Sequence, residues 1–103
     1  MKIRPEVQLL VGMGPMLDED SEDLVWFEQF QQVVEKISAP VTDDEATMLL
    51  NIFGPDGCFG LAWAVVHLIE TAPGWPIVDA LISATGIWAD ELRDRCRRSG
   101  LRP

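Results

Sequence analysis

The apolar stretch at residues 58–69, CFGLAWAVVHLI, constrains the fold of this chain most strongly. Eleven of its twelve residues are apolar or glycine, and the exception, His67, is the only histidine in the sequence. A helix needs about 20 apolar residues to cross a bilayer, so this stretch is too short to do so. It is therefore predicted to be the buried central helix of a small domain, capped by Asp56 and running to Glu70 or Thr71.

Charge is distributed unevenly along the 103 residues. The chain up to Glu91 holds 16 acidic and three basic residues, a net charge of −13, whereas residues 92–103 hold five arginines and Asp94, a net charge of +4. The total of −9 repels phosphate backbones and anionic lipid, so nucleic-acid and membrane binding are disfavoured and a basic protein partner is favoured. An acidic composition that only keeps the protein dispersed is the alternative.

The length predicts one domain, residues 1–103. The cysteine content predicts a reducing compartment. Cys58 and Cys96 lie far apart in sequence, and there is no CxxC motif. The amino terminus, MKIRPEVQLL, has no cleavage-like run of small residues, so we expect a cytoplasmic protein with free thiols.

Helical periodicity dominates the first half of the chain. A long helix is expected after residues 18–23, with Asp20 or Ser21 as its N-cap. Its buried stripe would consist of Trp26, Phe30, Val33 and Ile37. The sequence Thr42-Asp43-Asp44-Glu45 fits a capping box, which predicts that a second helix starts at Asp43 and ends near Gly54.

The proline-rich break at residues 72–76 predicts that the last helix starts near Pro76 and closes at Ser99-Gly100. Its apolar stripe would be Ile77, Leu81, Ala84, Trp88 and Leu92, with Gly86 lying off the stripe. Glu91–Arg95 and Asp94–Arg98 have the spacing of helical ion pairs. Together with a short helix around residues 7–11, these elements predict an all-α fold: a compact antiparallel bundle of four main helices plus a short N-terminal helix, whose helix pairs could stack in a HEAT-like manner.

His67 and Glu70, one helical turn apart, form the one pair that could do acid–base work or bind a metal. A zinc site needs further ligands, and Cys58 would lie on the opposite side of the helix. We therefore predict a structural histidine bonded to Glu70, a backbone carbonyl or water, and no catalytic residue, metal or cofactor.

Acidic residues are denser than helix capping requires, because five of the seven residues 17–23 are acidic. With the acids near the two later helix starts, they could form one negative face for a basic partner. Trp75, in the proline-rich break, is either a plug over the end of the core or an exposed anchor for that partner. The predicted partner-binding residues are Asp18, Glu19, Asp20, Glu22, Asp23, Asp43, Asp44, Asp56 and Trp75.

Residues 53–76, FGPDGCFGLAWAVVHLIETAPGWP, resemble a segment of small, acidic, helical bacterial proteins, some of which are suspected immunity proteins beside secreted polymorphic toxins. The resemblance covers about a quarter of the chain and contains no catalytic signature, so no functional residue is carried over by position. It implies a helical protein that binds a partner.

Three hypotheses for the function follow. The leading one is a non-enzymatic protein-binding module, most concretely an immunity-type inhibitor that occludes a basic toxin through an acidic face. The second is a structural homo-oligomer, such as a homodimer, in which the arginine-rich tail of one copy meets the acidic body of another. The third is a small enzyme or metal protein centred on His67 and Glu70.

Overall fold

The computed structural model describes residues 3–54 and 60–100, and these two ranges contain six helices and no strand. The helices are α1 (Pro5–Met13), α2 (Leu24–Lys36), α3 (Asp43–Leu49), α4 (Leu61–Glu70), α5 (Val78–Ser83) and α6 (Ile87–Arg98). The all-α prediction is thus confirmed. The expected first turn of the central helix, with Asp56 and Cys58, lies outside the described residues. None of the described helices is both long and apolar enough to cross a membrane.

The capping box of α3 is confirmed, whereas the predicted cap of α2 is wrong. Thr42 Oγ1 accepts a hydrogen bond from the backbone N–H of Glu45 at 3.1 Å, and the Glu45 carboxylate accepts one from the backbone N–H of Thr42 at 2.9 Å. The N-cap of α2 is Asp23, which accepts from Trp26 N–H at 3.0 Å. The predicted cap came too early because Ser21 Oγ bonds the N–H of Asp23 and so stabilises the preceding turn instead.

The first two hairpins are antiparallel helix pairs. At the junction of α1 and α2, Trp26 Nε1 donates to the carbonyl of Met13 at 3.2 Å, so the start of α2 lies beside the end of α1. In the second hairpin the backbone N–H of Val41, before α3, donates to Thr71 Oγ1, after α4, at 3.0 Å. The short connection at residues 84–86 joins α5 to α6, and the two helices are in contact.

Helices α4 and α6 run side by side in the same direction. The rings of Trp63 and Trp88, near the starts of α4 and α6, have centroids 5.0 Å apart, and two turns further on Glu70 binds Arg95 at 2.7 Å. Contacts of α1 with α3 and of α2 with α4 place α1 and α3 in one layer and α2 and α4 in the other, and α6 lies beside α4. The smallest dimension of the molecule, 19 Å, fits two helix layers of about 10 Å each. This packing of helices agrees with the predicted compact all-α bundle.

The expected last helix is in fact two helices, and its prediction as one element is wrong. Ala84 is extended and Gly86 has φ = 105°, a conformation that favours glycine, so the chain turns sharply between α5 and α6. Arg93 stabilises this break because its Nη1 donates to the carbonyls of Leu81 and Ala84 at 2.8 and 2.9 Å. Both carbonyls lie at the end of α5, where the Leu81 carbonyl also accepts the backbone N–H of Ala84 at 3.3 Å.

The central helix α4 is buried on one face only, so the prediction of a fully buried element needs correction. Ala62, Val65, Val66 and Ile69 form its buried face. Trp63 is 41% exposed, and the side chain of His67 is 66% exposed. In a two-layer arrangement a helix packs against the opposite layer and its layer neighbours, and its remaining side faces water.

The carboxylate of Glu45 is fully buried and is bound by Arg4, 41 residues earlier. Arg4 Nε and Nη2 donate to its two oxygens at 3.0 and 3.1 Å. The backbone N–H groups of Arg4 and Thr42 donate to the same carboxylate at 3.0 and 2.9 Å. The guanidinium also donates to the carbonyls of Ser38 and Pro40 at 2.9 and 3.4 Å. One ion pair thereby joins the start of α1, the end of α2 and the start of α3.

These bonds also change the acidity of Glu45. Burial by itself raises the pKa of the carboxyl, but the hydrogen bonds from Arg4 and from the backbone of Thr42 outweigh burial and lower the pKa from 4.5 to about 2. Because the pKa is lower in the folded state, the resulting stabilisation is complete above pH 4.5 and is lost as the pH falls toward 2.

Replacing Arg4 with alanine should lower the free energy of unfolding at pH 7 by about 3 kcal/mol, because a buried carboxylate loses its partner. The control Asp44→Asn, in the same first turn as Glu45 but exposed, should change it by less than about 1 kcal/mol. Urea denaturation at pH 7 measures both. The wild type should also lose more stability between pH 4.5 and 2 than Glu45→Gln does. Equal effects of Arg4→Ala and Asp44→Asn would contradict this assignment.

Candidate protein-binding surface

The acidic loop, defined as residues 18–23, leads into the first turn of α2. All five of its acids are exposed. Asp18 Oδ1 accepts the N–H of Asp20 at 3.1 Å, and Asp23 caps α2. These bonds use one carboxylate oxygen each, so the loop is held in shape while its carboxylates still face water. Five exposed acids in six residues give a local concentration of negative charge.

Asp43 and Asp44 lie in the first turn of α3, but they differ in their contacts. Asp43 Oδ1 accepts a hydrogen bond from the backbone N–H of Gly74 at 2.7 Å, which ties α3 to the turn before α5. The two groups are so close that a Cβ at Gly74 would lie 2.2 Å from Asp43 Oδ2. Asp44 is exposed. Asp56, the last of the predicted acids, lies outside the described residues.

The two described groups of acids are not one contiguous patch. The acidic loop is at the start of α2, whose 13 residues span about 20 Å. Asp43 and Asp44 are at the other end of α2, because Arg4 contacts both Ser38, just after α2, and Glu45 in the first turn of α3. A single partner surface would have to cross the length of α2 to touch both groups.

Trp75 is half-buried and packs against the hydrophobic core. Its backbone N–H donates to the carbonyl of Ala72 at 3.0 Å, within the turn that follows α4. This placement favours a plug at the end of the core over an exposed anchor. A role for Trp75 in partner binding stays a prediction.

His67 is an exposed side chain, so the expected buried structural histidine is wrong. Its Nδ1 lies 3.7 Å from Glu70 Oε1, which is beyond hydrogen-bond distance. Glu70 instead forms a bidentate pair with Arg95, with distances of 2.7 and 2.8 Å. Within residues 3–54 and 60–100, no group of three or more His, Cys, Asp or Glu side chains is placed to hold a metal ion.

Cys96 is a buried free thiol in α6. Burial raises the pKa of this thiol, because it disfavours the thiolate form. A neutral buried thiol of this kind behaves as a small apolar side chain of the core. Cys58 lies outside the described residues.

The described arginines are all paired within the chain. The ion pairs are Arg4–Glu45, Arg93–Asp90, Arg95–Glu70, Arg97–Asp94 and Arg98–Glu91. The pairs predicted from spacing, Glu91–Arg95 and Asp94–Arg98, are replaced, because Arg95 reaches across to Glu70 in α4. The described acids outside these five pairs all precede residue 80. The excess negative charge is therefore concentrated on α1, α2, α3, their connections and the first turn of α5.

An open groove between α2 and α4 is lined by residues that were not among the predicted partner-binding residues. It has a volume of about 630 Å³. Its lining consists of Leu24, Phe27, Glu28, Gln31, Val34 and Glu35 from α2 and Gly60, Leu61 and Ala64 from the start of α4. We call this the α2–α4 groove. Residues 24, 28, 31 and 35 recur at steps of four, three and four, which is a helical face that the sequence could have revealed.

The sequence matches no protein-family model, no curated protein and no solved structure. The function of this surface is therefore inferred from its own geometry and charge. The acidic loop and the two glutamates of α2, Glu28 and Glu35, are the central features of this surface, because the loop leads directly into the helix that carries them.

Replacing Asp43 with alanine should lower the free energy of unfolding by about 1–2 kcal/mol, because the N–H of Gly74 loses a charged acceptor. Asp44→Ala is the matched control: it removes the same charge from the same helical turn and should cost less than about 1 kcal/mol. Thermal or urea denaturation of the two variants gives the comparison. If the two variants were equally stable, the bond between Asp43 and Gly74 would not support the fold in solution.

Proposed function

We propose that this protein is a non-enzymatic protein-binding module, and most concretely an immunity-type inhibitor that occludes a basic toxin in the cytoplasm. The observation that carries the proposal is the acidic loop, in which five exposed carboxylates are concentrated in six residues. Their density exceeds what the capping of α2 requires, since Asp23 alone accepts the capping hydrogen bond. The resemblance of residues 53–76 to suspected immunity proteins points in the same direction.

Charge segregation supports a basic partner. The described arginines bind carboxylates of α3, α4 and α6, so they do not balance the acidic loop. An approaching basic surface therefore meets a negative potential at the start of α2. Such complementarity raises the rate of association and is weakened by salt, because exposed charges are screened over about 8 Å at physiological ionic strength.

The alternative of a homo-oligomer built on the arginine-rich tail is less well supported. Arg93, Arg95, Arg97 and Arg98 each form an ion pair within their own chain. An acidic body from a second copy would have to displace those partners and would gain little net energy from the exchange. The alternative centred on His67 has little support, since Glu70 already binds Arg95 through both carboxylate oxygens.

A test of the proposal starts with the tagged protein as bait in a lysate of the source organism, followed by titration of the purified partner. We expect a basic partner whose affinity falls at least about tenfold between roughly 50 and 300 mM salt. The double variant Asp20→Asn/Glu22→Gln should weaken binding several-fold at low salt, mainly through slower association. It spares Asp18 and Asp23, whose side chains hold the loop and cap α2.

The matched control is Glu6→Gln/Asp79→Asn, which removes two negative charges outside the acidic loop. It should change the affinity less than about twofold. A partner that binds equally well at both salt concentrations, or that responds equally to the two double variants, would contradict a role of the acidic loop in recognition.

A further inference from the structure

The α2–α4 groove combines an apolar floor with an acidic side. Phe27 and Val34 of α2 are buried at its base, and Leu61 and Ala64 line it from α4. Glu28 and Glu35 lie along its α2 side, seven residues and about 10.5 Å apart. No basic side chain is among its described lining residues. The groove therefore favours a ligand that is apolar on one side and positively charged beside it.

The shape of the groove favours a macromolecule over a small ligand. Small molecules bind in sites that bury about 70–90% of their surface, which requires walls on most sides. Here Leu24, at the entrance of the groove, is 73% exposed. A groove with so exposed a side chain at its entrance encloses a small ligand poorly, but it offers apolar surface that a macromolecule can cover.

The position of the groove links it to the acidic loop. Leu24 directly follows Asp23, the last residue of the loop, so the loop stands at one end of the groove. A basic partner drawn toward the loop therefore arrives next to the apolar floor. In the direction of α2 the groove extends from Leu24 to Glu35, about 16 Å, or three turns of a helix.

We propose that the α2–α4 groove is the docking site for an amphipathic helix of the basic partner, about three turns long. This inference rests on the proposed function and names the part of the partner that is recognised. The apolar residues of the helix, at positions i, i+3 or i+4 and i+7, contact Leu24, Phe27 and Ala64. Its lysines or arginines, about two turns apart, pair with Glu28 and Glu35. The small side chain of Ala64 leaves room for this approach.

The test uses a fluorescently labelled peptide of about 18 leucines and lysines, with the leucines at helical spacing, and a scrambled peptide of the same composition. Fluorescence anisotropy measures the affinity of each for the full-length protein. The peptide with leucines at helical spacing, called the striped peptide, should bind about tenfold more tightly than the scrambled one. Leu24→Ser should weaken binding of the striped peptide about tenfold, because it removes the apolar contact at the entrance.

Val25→Ser is the matched control, since Val25 is also exposed, at 63%, and adjacent in sequence but does not line the groove. It should change the affinity less than about twofold. Both variants alter exposed positions, so both should fold, and circular dichroism verifies this. Amide NMR shifts on adding the striped peptide should be concentrated in α2 and the first half of α4.

Equal binding of the striped and scrambled peptides, with no effect of Leu24→Ser, would overturn the groove as a docking site. If the binding of both peptides still weakened with added salt and in the variant Asp20→Asn/Glu22→Gln, the proposed function would stand without the groove as a docking site. Sedimentation tests the alternative that a second copy of the chain fills the groove. A wild-type dimer that becomes monomeric in Leu24→Ser would show this and would also overturn the inference. Failure of both peptides to bind at low salt would count against the groove and the proposed function together.

Discussion

The ion pair between Arg4 and the buried carboxylate of Glu45 is the contact on which the arrangement of the first three helices depends. A charge without solvent contact is costly unless its hydrogen-bonding capacity is filled, and here four donors surround it. Two come from the side chain of Arg4 and two from backbone N–H groups, so the carboxylate fixes the backbone as well as a side chain. Because the same guanidinium binds the carbonyl of Ser38 after α2, one pair sets the relative positions of three helix ends.

Two further polar contacts extend this junction along the same edge of the molecule. Thr71 accepts the N–H of Val41 and Asp43 accepts the N–H of Gly74, so each links the start of α3 to the end of α4 or the turn before α5. The opposite edge adds aromatic contacts: Trp63 packs edge-on against Trp88, which stacks on Phe53 with centroids 5.7 Å apart. The backbone N–H of Met16 donates to the carbonyl of Ile52 at 2.8 Å at this edge, so directional hydrogen bonds hold the helix pairs together at both edges and ring packing adds to them at one.

Local signals in the sequence predicted local structure well, and contacts between distant residues account for what they missed. The capping box at Thr42 and the apolar stripe of α2 depend on residues three or four apart, and both are present. The burial of Glu45 depends on Arg4, 41 residues away, and no spacing rule connects them. Arg95 likewise binds Glu70, 25 residues earlier, in place of Glu91 one turn away. The exposure of Trp63 was hidden for a related reason: periodicity shows which residues share a helical face, but it does not show whether another helix covers that face.

The separation of charges gives the proposed binding surface two components that act over different distances. The arginines of residues 3–54 and 60–100 are used within the fold, on Glu45 and on the acids of α4 and α6, which leaves the field around the start of α2 strongly negative. That field acts over roughly 8 Å in physiological salt and attracts basic surfaces with little selectivity. Selectivity requires contact, and the α2–α4 groove offers it immediately beside the acidic loop, where Leu24 follows Asp23. A partner that matched only the charge would associate quickly and leave quickly, whereas one that also inserted an apolar helix face would stay bound, because buried apolar anchors slow dissociation.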